Sequence, residues 1–346
     1  MRVLFAESEK YYFNLGVLSY FKEHETAFNG VKKYKKDKEI KSYDLVVSYL
    51  FHSPISNFLI LKAKQLGVKT LFICDGIFDW ANAFDNPIHK SLNIKQFHPI
   101  IHDFMWCIGE EEKKYFDSQG VVGLKYLPKR VFDYKKVPIN KTKTVLITTA
   151  NTPYFNEKEK ESLISLIKEI ASKLDYMQIN YIFRIFNEDL KKELKIPIEK
   201  NFIDGSFDET LALVDSVITT PSSIILPAMY NERSVGMMVY RDTPLFLQSG
   251  WLLHKSTDLE NTLNSLMLMD SDRMNFQRYQ LKRYINDQDI SSTNDNIEQF
   301  LARVEIKHDK NEFINTNMYN MLNSKFNLNI EFFIRSLYLK AKKLFK

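Results

Sequence analysis

The stretch YDLVVSYLFHSPISNFLILKAKQLGVKTLFICDG, Tyr43 to Gly76, holds two apolar runs around one helical run. Tyr43 to Leu50 and Val68 to Cys74 read as strands. Asn57 to Leu66 carries helical spacing and is stopped by Gly67. Two buried strands joined by a helix imply parallel pairing and an open, doubly wound sheet. The second strand ends abruptly on Asp75-Gly76, followed by Asp79, Trp80 and Asn82. Polar groups at that place need a reason.

Outward from this unit the alternation continues. Arg2 to Glu7 reads as a strand, and Tyr11 to Glu23 as helical. Asp103 to Ile108 is a strand, Glu110 to Gln119 a helix with Gly120 past its end, and Leu124 to Leu127 a short last strand. The second half repeats the plan. Strands are expected at Thr144–Thr149, Ile179–Phe186, Ser216–Thr220 and Val235–Tyr240. Helix starts are signalled by Asn156 with Glu159, Ser206 with Glu209, and Thr257 with Glu260. Leu163, Ile164, Ile167, Ile170, Ala171 and Leu174 form one apolar helical face. The chain therefore reads as two Rossmann-like α/β domains, residues 1–138 and 139–270, facing a cleft, followed by a helical segment, 271–346.

Composition agrees with a folded two-domain chain: 346 residues, 45% hydrophobic and 26% charged, with only 10 glycines and 10 prolines. A net charge of +5 falls short of a nucleic-acid-binding domain. Cys74 and Cys107 each lie in an apolar run, as buried thiols of a reducing compartment do. The opening MRVLFAESEK does not read as a signal peptide, and no run of about 18 apolar residues would span a membrane. A cytoplasmic location is expected.

In such sheets ligands bind beyond the carboxyl ends of the strands. Those ends carry Glu7, His52 and Asp75 in the first half. In the second they carry Asn151, Arg184, and Thr220, Ser222 and Ser223 of TTPSS. A turn of hydroxyls and free amides before a helix suits a phosphate, although such residues also simply cap helices. Pro227 is expected to delay that helix. Arg184, inside an apolar strand pattern, is expected to face the cleft and meet an anion. The D-x-D pairs at Asp270/Asp272 and Asp287/Asp289 read as caps and solvated acids, and no metal or cofactor is expected. No H-E-x-x-H, G-x-S-x-G, Walker A or G-x-G-x-x-G motif occurs.

Three segments, in this order, resemble the GT-B glycosyltransferases, especially bacterial enzymes of capsule, lipopolysaccharide and teichoic-type polymer synthesis. WCIGEEEKKYFDSQG with KYLPKRVFD (Trp106 to Asp133) resembles the end of their first domain. TVLITTANTPYFNEKE (Thr144 to Glu159) resembles the opening of the donor domain, and VDSVITTPSSIILPAMY (Val214 to Tyr230) the phosphate-holding segment. The resemblance implies a nucleotide sugar, CMP- or UDP-linked, bound through Asn151, Arg184, Thr220, Ser222 and Ser223, without a metal. It implies a lipid-linked or polysaccharide acceptor on the first domain. There Glu7, His52, Trp80 and Asn82 are the candidate contacts, Asp75 the candidate catalytic carboxylate and Asp79 its runner-up. Pro227-Ala228 stands where the family often has Glu-Ala. An epimerase of the same plan and a non-catalytic polysaccharide-binding module, with Trp80, Trp106 and Trp251 as stacking platforms, are the alternatives.

The tail NIEFFIRSLYLKAKKLFK sets Ile330, Phe333, Ile334, Leu337, Ala341 and Leu344 on one helical face and Arg335, Lys342, Lys343 and Lys346 opposite. A basic amphipathic helix of this kind suits an anionic membrane surface, here the inner membrane through residues 328–346. Packing of the same helix on the protein is the alternative.

Overall fold

The computed structural model describes residues 1–91, 94–128, 135–241, 247–255 and 257–285, with Leu337 and Ala341. The tail from residue 328, those two positions apart, and the Asp287/Asp289 pair lie outside the described residues.

Six strands form the first sheet: β1 (Arg2–Phe5), β2 (Glu25–Ala27), β3 (Leu45–Ser48), β4 (Lys69–Ile73), β5 (Phe104–Cys107) and β6 (Val122–Lys125). Their order is β2-β1-β3-β4-β5-β6, all parallel. The second sheet holds β7 (Thr144–Thr148), β8 (Asn180–Arg184), β9 (Ser216–Thr219), β10 (Ser234–Met238) and β11 (Trp251–Leu253). Its order is β11-β10-β9-β7-β8, again all parallel. This is the expected α/β arrangement of two Rossmann-like units.

The quoted stretch folds as β3, the helix Pro54–Gln65 and β4. Ser53 caps that helix, accepting from Ser56 N, and Pro54 occupies its first position, where a missing N–H costs nothing. Asn156 and the Ser206–Glu209 capping box open their helices as expected. Other expectations need correction. The helix from Glu9 stops at Leu15, because Gly16 turns left-handed (φ 70°) and closes it, and a separate 3-10 turn covers Leu18–Phe21. Asp258, not Thr257, caps the helix Leu259–Met267, while the Thr257 hydroxyl closes a turn on His254 O. Pro227 is the third residue of the helix Ile225–Tyr230, within the first turn, where amides have no intrahelical acceptor.

Apolar packing around Trp106 runs across both halves. It takes in Phe5, Phe21 and Tyr126 of the first, Val217, Met229 and Val235 of the second, and Tyr284 and Ile285. Trp251 is fully buried, with Nε1 bonded to Ser265 Oγ, so it is core and not a stacking platform. Cys74 and Cys107 are buried free thiols. Among the described residues no helix is long and apolar enough to cross a membrane.

Candidate functional site

The strand orders locate a crevice in each sheet. The chain leaves β1 for β2 on one side and then crosses to β3 on the other, so the β1–β3 ends part. The same reversal occurs between β7 and β9. Ligands of open parallel sheets bind at such reversals.

At the β1–β3 crevice Glu7 is buried. It accepts from the Tyr12 hydroxyl and from Ser56 Oγ at 2.8 Å. Burial holds its pKa above the usual carboxylate value. Both oxygens are engaged, which makes Glu7 the floor of the crevice, fixing Tyr12 and Ser56. Next along the edge, His52 is exposed and Asp75 half-buried. Burial and the charge of His89 hold the His52 pKa below the usual imidazole value, and Asp75 pulls it upward. Neutral His52 has a lone pair for accepting a proton.

His89 belongs to this cluster although sequence reasoning passed it over. The Phe51 ring lies 5.2 Å from His52 and 5.5 Å from His89, edge-on to both. His89 Nδ1 lies 2.8 Å from the Asn82 carbonyl oxygen, which can only accept, so Nδ1 carries a proton. The signal was present: Pro87 is a helix-opening residue that sets His89 on the helix Pro87–Ser91.

Asp79 is buried and doubly occupied. It caps the helix Trp80–Phe84 through Ala81 N and Asn82 N and pairs with Arg241, which lies in the loop after β10. Trp80 stacks on Phe84 at 5.0 Å, with Tyr115 edge-on at 5.4 Å. Asn82 Oδ1 accepts from Asn86 Nδ2 at 2.9 Å.

At the β7–β9 crevice, register sets Thr148 opposite Thr219. One residue on, Thr220 Oγ1 accepts from Ala150 N at 2.8 Å and ties the two strand ends together. The neighbouring Thr149 hydroxyl is buried with no hydrogen-bond partner among the described residues. Asn151 is exposed, and Ser222 and Ser223 are half-buried in the turn before Ile225. That helix has no side-chain cap. Its first amides are already bonded within the turn, Ile225 N to Ser222 O at 3.2 Å and Leu226 N to Ser223 O at 3.1 Å, so what the turn offers an anion is its hydroxyls and the helix end.

Arg184 departs from the expectation. It is buried, and its guanidinium donates to Asp204 O, Thr210 Oγ1 and Gly205 O at 2.9–3.3 Å and to Phe202 O at 2.5 Å. It fastens the loop after β8 instead of facing the crevice, because those carbonyls need donors once buried. Arg241, which the sequence reading left out, takes the cleft position. Its Asp79 partner lies in the loop beyond the carboxyl end of β4, so the carboxyl edges of the two sheets meet across this pair. Among the described residues no cluster of three or more His, Cys, Asp or Glu is placed to hold a metal ion.

No family model matches the chain, and no curated protein matches it by sequence. Solved structures do resemble it. One is a UDP-N-acetylglucosamine 2-epimerase, described as putative, from Listeria monocytogenes (TM-score 0.53, 11% identity, 89% of this chain and 98% of that one). Another is a glycosyltransferase from Rickettsia africae (0.52, 11%, 88% and 99%). A third is the lipopolysaccharide outer core galactosyltransferase WaaB (0.50, 13%, 87% and 100%). At such identities the likeness is one of fold. The fold is that of the two-domain GT-B proteins, as the resemblance of the three sequence segments implied.

Proposed function

We propose that the protein is a glycosyltransferase that moves a sugar from a nucleotide-activated donor, CMP- or UDP-linked, to a lipid-linked or polysaccharide acceptor, without a metal. The observation that carries this reading is the meeting of two carboxyl edges across Asp79 and Arg241. On one edge stands a neutral imidazole beside a carboxylate, and on the other an uncapped turn of hydroxyls.

In this reading the donor's phosphates lie over Thr220, Ser222 and Ser223, with Asn151 beside them. The hydroxyls and the helix end stabilise the leaving phosphate. The acceptor hydroxyl lies over the β3 and β4 ends. Asp75, with His52, takes its proton. Trp80 and Asn82 border the acceptor. Arg184 has no part, and Glu7 acts through Tyr12 and Ser56.

A thermal-shift screen with CMP, UDP, GDP and ADP tests the donor assignment; one nucleotide is expected to raise the melting temperature. Ser222→Ala with Ser223→Ala is expected to remove that rise. Asp75→Asn is expected to lower transfer on the order of 10²-fold or more with nucleotide binding intact. Wild-type turnover in Asp75→Asn would exclude Asp75. The fold likeness to a 2-epimerase supports a second reading. Incubation with nucleotide sugars and no acceptor separates the two, since only an epimerase converts the sugar.

A further inference from the structure

Three arginines with buried side chains show how this fold treats a guanidinium. Arg233 has every N–H placed: Nε on Val214 O, Nη1 on Val137 O and Asn231 O, Nη2 on Pro138 O and Leu211 O, at 2.6–3.0 Å. Arg184 is held by three carbonyls and Thr210. Arg241 is different. Its side chain is only 5% exposed, and Nη2 donates to Asp79. Its Nε and Nη1 have no hydrogen-bond acceptor among the described residues. Glu159 Oε2 lies 3.7 Å from Nη1, an ion pair too long for a hydrogen bond, and that oxygen already accepts from Phe155 N at 2.8 Å.

The unsatisfied donors are held in place. The guanidinium lies 4.7 Å from the centre of the Phe155 ring and 5.6 Å from that of Tyr240, whose hydroxyl is bonded to Pro153 O. The Arg241 side chain borders a cavity of about 530 Å³, lined also by Asn156, Lys158, the Glu159 carboxylate, Ser162, Tyr240 and His254. The cavity sits at the N-terminal end of the 20-residue helix Glu157–Tyr176, the positive end of its dipole. Exposed Lys158 adds a cation at the rim. A volume of this size suits a small ligand. A guanidinium with spare N–H groups calls for oxyanion acceptors.

We propose that this cavity binds an oxyanion-bearing small molecule of sugar-phosphate size, anchored by Arg241, at a site separate from the β7–β9 crevice. Its phosphate or carboxylate accepts from Nε and Nη1, and the remainder of the ligand faces Ser162, Asn156 and His254. The proposal does not depend on the transferase reading. Because Nη2 holds Asp79, the ligand would sit against the contact between the two sheets' edges.

Calorimetric titration with glucose 1-phosphate and inorganic phosphate, with glucose as the neutral control, tests it. Glucose 1-phosphate is expected to bind and glucose not to. Arg241→Gln is expected to weaken binding at least tenfold, and the Ser222→Ala, Ser223→Ala double variant to leave it unchanged. Since Arg241 also holds Asp79, its replacement risks loosening the fold. Ser162→Phe, which fills the cavity from the helix side and keeps the ion pair, is expected to give the same loss. The proposal is overturned if neither phosphate probe binds the wild type, or if a folded Arg241→Gln or Ser162→Phe protein binds as tightly. One-for-one displacement of glucose 1-phosphate by UDP would also overturn it, by making the phosphate the nucleotide's own. Loss of UDP binding in the serine double variant reports on the donor assignment separately.

Discussion

A guanidinium within an apolar strand pattern signals a constraint, and Arg184 shows which kind. Sequence alone makes such a residue conspicuous, because a buried cation needs acceptors. It cannot show that the acceptors are Phe202, Asp204 and Gly205, 18 to 21 positions away, in a loop without a motif. The place of Asp75 was legible for the opposite reason: it lies just past a strand whose direction follows from pattern alone. His89 was not, since its role comes from a single bond to Asn82 O. The structural role of Arg184 can be measured. Arg184→Met removes a buried donor set and leaves carbonyls unpaired, which should cost roughly 3 kcal/mol of stability. Urea unfolding should show that loss, and nucleotide affinity of the folded protein should not change. Weakened nucleotide binding at unchanged stability would return Arg184 to the donor site.

At the scale of elements, the long periodic pieces were the readable ones. The helix Glu157–Tyr176 and its buried face announce themselves through a cap and a 3.6-residue rhythm. β2 does not, because its three residues, Glu-Thr-Ala, form an exposed edge with no apolar alternation. β11 is equally short, and its middle residue is exposed. The entry to the helix Glu110–Ser118 carries a constraint that no pattern reveals. Gly109 has φ 95°, and a β-carbon there would lie 2.3 Å from the Tyr284 ring. Gly109→Ala therefore strains the backbone and displaces Tyr284 from the first sheet, at a cost of about 2–4 kcal/mol. A lower urea midpoint and faster amide exchange in residues 280–285 are the expected outcomes; an unchanged midpoint would contradict them.

For the whole molecule, two ionisable groups predict how stability varies with pH. His102 is buried with Nε2 at 2.8 Å from Ser48 Oγ, and burial pushes its pKa down to about 3. Glu112 is buried between the β4 loop and the β5 end, bonded to Phe78 N and Ile108 N, and burial pushes its pKa up to about 8. Unfolded, these groups titrate near about 6.5 and 4.3. Below pH 6.5 the unfolded chain binds a proton at His102 that the folded protein refuses, so stability falls as pH falls. Above pH 4.3 the folded protein keeps a proton at Glu112 that the unfolded chain has lost, so stability falls as pH rises towards 8. The two slopes, each at most about 1.4 kcal/mol per pH unit, cancel between them. The pair should leave a plateau from about pH 4.3 to 6.5 with a decline on either side. Glu7, also raised by burial, likewise loses stability as pH rises above the ordinary carboxylate value. Urea unfolding from pH 3 to 9 checks this. His102→Asn should flatten the acid side and Glu112→Gln the alkaline side. A Glu112→Gln protein that kept the wild-type slope between pH 6.5 and 8 would show that Glu112 is ionised in the fold. The two backbone amides beside the Asp75–Asp79 loop would then be bonded to a carboxylate instead of a neutral acid.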